Sequence, residues 1–135
     1  MKTATVSYEG HLRTRATHVR SGEVVLTDAP LDNQGKGEAF SPTDLVATAA
    51  VTCMITMMGI VAENRDLNMG KVQGEVEKIM TPPPRRIGEL HIELSFEGHH
   101  LSESDKVLLE NTALSCPVTR SLHPDITVNV KFRYN

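Results

Sequence analysis

The sequence predicts an α+β fold in which antiparallel strands cover one very hydrophobic central helix. Three observations predict it. Segments that alternate apolar and polar residues between turn residues fill the first forty positions and return at 71–80, 87–96 and 126–134. An apolar run spanning 45–61 follows a Ser41-Pro42-Thr43-Asp44 start. A second capped segment opens at Ser102.

The elements follow in order. Alternation over 3–8, 12–19 and 23–27, broken at Glu9-Gly10 and at Arg20-Ser21-Gly22, predicts three short antiparallel strands. Pro30, Asn33, Gly35 and Gly37 make 28–40 a loop. Ser41 is then a helix N-cap, Pro42 suits the first helical position, and Asp44 complements the helix dipole. The helix runs to about Glu63 and is apolar on most faces, through Leu45, Val46, Ala49, Ala50, Met54, Ile55, Met57, Met58, Ile60 and Val61. It therefore belongs in the centre of the molecule. Strands 71–80 and 87–96 form a second antiparallel pair, joined by Thr81-Pro82-Pro83-Pro84-Arg85-Arg86, which is too proline-rich for a tight hairpin. Ser102-Glu103-Ser104-Asp105 caps an amphipathic helix, Pro117 begins a short one to about Leu122, and 126–134 closes the chain as a strand. A single six-stranded sheet would cover one flank of the central helix. The other flank, with its threonines, methionines and Cys53, would stay wet, which predicts a homodimer.

A chain of 135 residues buries one ordinary core and reads as a single domain, 1–135. The net charge of −3, with two tyrosines, three phenylalanines and no tryptophan, argues against a nucleic-acid partner. No leader-like segment is read at the N-terminus, and no run is read as reaching the roughly 20 apolar residues of a bilayer span. The expected location is cytoplasmic. None of the six histidines falls in a ligand spacing, and no Gly-rich loop precedes a helix, so neither a metal nor a nucleotide cofactor is implied.

Two cysteines carry the chemistry. Cys53 lies within the apolar helix, and Cys116 stands directly before Pro117 at a helix junction. A reducing compartment keeps ordinary thiols reduced, and persistent disulfides there are usually catalytic or sensing. Each residue also has a plainer reading. Cys53 can be an inert core thiol, Cys116 a small packing residue, Arg20 a solvated turn residue, Asp44 a capping acid, and Met54, Met57 and Met58 core filler.

Ser41-Pro42-Thr43-Asp44-Leu45, then Ala49-Ala50-Val51-Thr52-Cys53, then Ser115-Cys116-Pro117-Val118, in this element order, resemble the OsmC/Ohr family of osmotically inducible and organic hydroperoxide resistance proteins. The likeness spans essentially the whole chain and is greatest to the broad OsmC-like branch. It implies an OsmC-like fold: an intertwined homodimer whose antiparallel sheets pack around long central helices, with sites at the subunit interface. It further implies that Cys53 is the reactive cysteine, Cys116 the resolving cysteine, and Arg20 the arginine that precedes a short residue and a glycine. The family's glutamate falls on Thr43, leaving Asp44 as the neighbouring acid and predicting reduced activity or another way of holding Arg20. The expected function is reduction of small organic hydroperoxides, with regeneration by an external dithiol reductant. In that scheme Arg20 offsets the desolvation of the Cys53 thiolate, and the helix that starts at Pro117 favours the Cys116 thiolate. The alternative is a non-enzymatic dimer that binds a small apolar ligand or acts as a redox sensor. A fixed structural disulfide is a third reading.

Overall fold

Local signals place most of the elements. In the computed structural model, which describes residues 1–135, they run β1 (Ala4–Gly10), β2 (Arg13–His18), β3 (Val24–Asp28), a 3-10 turn (Leu31–Asn33), α1 (Pro42–Asn64), β4 (Lys71–Met80), β5 (Ile87–Glu97), α2 (Glu103–Leu114), α3 (Pro117–Arg120) and β6 (Thr127–Tyr134). The α+β fold is the one expected from the element order. The chain divides into two units, residues 1–46 and 47–135.

In the first unit β1, β2 and β3 form an antiparallel meander. Asp28 is 1% exposed and sits opposite Arg13 in the β2–β3 register. The Arg13 guanidinium clasps its carboxylate through Nε at 2.6 Å and a terminal nitrogen at 2.7 Å, and the Glu38 N–H adds a bond of 3.0 Å. This pairing satisfies a buried charge and ties down the loop after β3. Its largest electrical effect, from the Arg13 hydrogen bonds, holds the Asp28 carboxyl below the usual range. The loop closes so tightly that a Cβ on Gly35 would lie 1.6 Å from the Ala29 carbonyl oxygen, so only glycine fits. Val6, Ala16 and Val25 align across one face of this sheet, yet Val6 and Val25 are exposed.

The second unit contains most of the buried side chains. Leu90, Ile92, Leu94 and Phe96 alternate inward along β5, each at most 2% exposed. They share the core with Ala47, Ala50, Val51, Met54, Met58 and Ala62 from one face of α1, and with Leu109, Ala113 and Cys116. The register of β4 and β5 shifts after Ile79, leaving Gly88 as an extra residue and re-aiming Ile87 inward. At Gly74 of β4 the missing side chain admits α1: a Cβ there would lie 2.6 Å from Val51 Cγ1 and 3.1 Å from Ile55 Cδ1. Gly74→Ala is therefore expected to destabilise the protein by about 1–3 kcal/mol, read as a lower urea midpoint with an unchanged slope. An unchanged midpoint would mean that the helix can shift without strain.

Two sheet expectations are corrected. The strands form two three-stranded sheets rather than one of six, and β6 runs parallel to β5. The chain reaches β6 through α2 and α3, and a helical crossover returns a strand in the same direction, whereas a hairpin reverses it. The apolar-length expectation is corrected as well. An 18-residue window of α1 has mean hydropathy 2.1, which meets the length and composition of a membrane span. Leucine, valine and isoleucine raise the mean between alanines and threonines, without an unbroken run of large residues. The core helix of a soluble protein meets the same criterion, and α1 lends its buried face to the core of the second unit.

A pair of free cysteines and their first-turn partners

The start of α1 is a reciprocal cap. Ser41 Oγ accepts the Asp44 N–H at 3.1 Å, and the Asp44 carboxylate accepts the Ser41 N–H at 2.9 Å. The capping reading of Asp44 thus has a direct structural counterpart. Thr43 sits beside it, its hydroxyl 3.3 Å from Ser41 Oγ. Arg20 is exposed in the turn between β2 and β3, where Gly22 N–H bonds the His18 carbonyl at 2.8 Å.

Cys53 lies at the edge of the buried stripe of α1 and is half-buried, between buried Met54 and exposed Thr52. Cys116 is 0% exposed and forms the N-cap of α3, with Pro117 at the first helical position. Both thiols are free. The fold makes them neighbours across 62 intervening residues. Burial pushes the Cys53 thiol above its ordinary value. The Val118 N–H opposes this by donating to the sulfur, while Cys116 reinforces it through a hydrogen bond and through its charge. None of these groups is cationic.

The first turn of α3 also holds the other sulfur. Thr119 Oγ1 is 3.3 Å from Cys116 Sγ and 3.1 Å from the Cys116 carbonyl oxygen, to which it donates. Neither Val118 nor Thr119 was singled out from the sequence as a site residue. A usable signal was present, because a hydroxyl three residues after a helix N-cap has the spacing of a capping interaction. No three His, Cys, Asp or Glu side chains gather as metal ligands.

Comparison with known proteins places the chain. The family model described as OsmC-like protein matches residues 35–131. The chain belongs to the OsmC-like family. A protein from Psychrobacter arcticus, proposed to be an osmotic stress induced and detoxification response protein, has a crystal structure 47% identical in sequence. The match covers 98% of this chain and 96% of that one, with a TM-score of 0.93. An OsmC-like protein from Mycoplasma pneumoniae has the same fold at 15% identity, with a TM-score of 0.80 over 99% of this chain and 97% of that one. An organic hydroperoxide resistance protein OsmC from Legionella pneumophila does so at 18% identity, with a TM-score of 0.68 over 98% of each. No curated protein matches the chain. The OsmC-like family therefore includes structural neighbours named for hydroperoxide resistance, and this chain shares their fold.

Proposed function

We propose that this OsmC-like protein is a thiol peroxidase that reduces organic hydroperoxides with Cys53 and Cys116. The observation that carries the reading is the adjacency of two free thiols, one half-buried on α1 and one fully buried at the α3 N-cap. The Cys53 thiolate attacks the peroxide; a sulfur–oxygen bond forms, the oxygen–oxygen bond breaks, and the leaving alkoxide takes a proton to become the alcohol. Cys116 then attacks the resulting sulfenic acid. The disulfide forms, and the departing hydroxide leaves as water with the Cys116 proton. An external dithiol returns two electrons by thiol–disulfide exchange. No metal or cofactor enters the scheme.

The same reading includes a single domain, 1–135, and a homodimer in the cytoplasm. Its support is apolar surface that one chain leaves uncovered: Ile60 on α1, with Val6 and Val25 on the first sheet, are all more than 40% exposed. In such a dimer Arg20 from either copy is the group proposed to stabilise the Cys53 thiolate, with Asp44 as the acid nearest the helix start.

The test is stoichiometric. One equivalent of cumene hydroperoxide added to the reduced protein is expected to consume both thiols promptly, and Cys53→Ser to leave Cys116 titratable. Because burial raises the Cys53 thiol, the rate should climb with pH through and beyond the ordinary thiol value of 9.0 unless a partner supplies the cation. Thiols that stay titratable in the wild type support the second reading, a ligand-binding dimer or slow redox sensor. The observation favouring that reading is the raised Cys53 thiol with no cation acting on it.

A further inference from the structure

The first unit carries a cavity of its own. It measures about 260 Å³ and is lined wholly from residues 1–46. Its walls are Tyr8 and Leu12 from the β1–β2 hairpin, Ala29, Pro30 and Asn33 from the segment after β3, and Pro42. Backbone hydrogen bonds tie these walls together. The Ala29 N–H bonds the Leu12 carbonyl at 3.1 Å, and the N–H groups of Asn33 and Gly35 both bond the Pro30 carbonyl at 2.9 Å. The Arg13–Asp28 clasp holds the same segment from the other side of the sheet. A ligand would therefore meet walls already in place, without first having to order a loop.

The hairpin turn supplies a second, independent observation. His11 and Leu12 form its two-residue loop between the paired Gly10 and Arg13, and both lie in the left-handed region, with φ of 55° and 64°. A turn of this kind is free of strain with Asn-Gly, whereas a leucine there crowds its Cβ against the following carbonyl oxygen. Burial does not offset that strain, because Leu12 is 45% exposed. What the leucine side chain does in this conformation is line the cavity. Backbone strain held without a gain in packing is characteristic of ligand-binding positions.

The polar atoms decide the class of ligand. The Tyr8 hydroxyl accepts the Leu12 N–H at 3.2 Å, which leaves its own hydrogen free to donate. The Thr14 and Thr27 hydroxyls, which also line the cavity, bond each other. No lining residue is charged, so a carboxylate or an ammonium would lose hydration there without gaining a partner. A cavity of about 150 Å³ holds benzene, so this one has room for a ring with a short substituent. We propose that the cavity binds a small uncharged molecule made of a ring and one acceptor oxygen, the ring packed against Leu12, Pro30 and Pro42 and the oxygen on the Tyr8 hydroxyl. The proposal stands apart from the peroxidase reading, because no thiol takes part and either can fail alone.

Acetophenone is the probe, titrated into the isotope-labelled full chain and read from the amide NMR shifts of Leu12 and Ala29. Ethylbenzene, which has nearly the same shape without the oxygen, and benzoate, which adds a charge, are the controls. Saturable shifts at both amides are expected with acetophenone, ethylbenzene binding about 5-fold more weakly, the scale of one neutral hydrogen bond, and benzoate having no effect. Tyr8→Phe should weaken acetophenone by the same factor and leave ethylbenzene unchanged, read at Ala29 because the Leu12 amide loses its own acceptor. Leu12→Gly removes a wall and relieves the turn together, so binding of both ring compounds should fall severalfold while the urea midpoint does not fall. Absence of a saturable shift, equal affinity for acetophenone and ethylbenzene, or a glycine variant that loses stability along with binding would overturn the proposal. So would Leu12 and Ala29 shifts that follow protein concentration and ignore acetophenone, since a second copy would then fill the cavity.

Discussion

Cys116→Ser is expected to stop the reaction halfway. The substituted hydroxyl can replace the thiol as hydrogen-bond partner of Thr119, so the buried N-cap of α3 keeps its contact and the chain should fold. What is lost is the second sulfur. One equivalent of hydroperoxide should then leave Cys53 as a sulfenic acid, seen as a single added oxygen by intact mass and captured by dimedone. Excess hydroperoxide should carry it on to the sulfinic acid, which a dithiol does not reduce. Turnover with a dithiol reductant should fall to background after the first cycle. If turnover persists, Cys116 is not the resolving thiol, and the reductant itself attacks the Cys53 sulfenic acid.

Phe96→Ala is expected to be the most damaging substitution for stability. Phe96 is 0% exposed at the inner face of β5 and stacks on Tyr134 of β6, with ring centroids 5.0 Å apart. Tyr134 is held from its other end, since its hydroxyl donates to Glu110 at 2.7 Å and Lys106 lies 4.6 Å from its ring centre. The surrounding groups therefore cannot collapse freely into the space left behind. Truncation of a buried phenylalanine costs about 3–5 kcal/mol, and this site belongs toward the upper end because a stacked ring loses its partner too. Urea unfolding should show a large drop in midpoint, while Phe96→Leu, which refills most of the volume, should cost far less. If Phe96→Ala costs under about 1 kcal/mol, the β5–β6 seam is not the core it is taken to be.

Much of the fold was legible because its signals are local. The Ser41–Asp44 and Ser102–Asp105 boxes each lie within four residues, and both reciprocal pairs form as spaced. The β5 alternation that placed Leu90, Ile92, Leu94 and Phe96 inward is set by the pleat of a single strand. Where the reading failed, the missing information was not local. The direction of β6 depends on the crossover through α2 and α3, and the alternation of a strand is the same whichever way its neighbour runs. The Arg13–Asp28 clasp was missed because it joins residues on different strands, visible only once the register is known. At the site, both cysteines were candidates from their contexts, while the resemblance alone supplied Arg20.

By itself the sequence determined the α+β element order, the capped starts of α1 and α2 and the identity of the two sulfurs. These follow from spacings that the backbone imposes within a few residues. Only the tertiary structure decided that Cys53 and Cys116 are neighbours, that burial raises the Cys53 thiol, and that Thr119 and Val118 reach a sulfur each. Contact between segments distant in sequence and desolvation depend on what the whole core brings together, and no short stretch of chain records that.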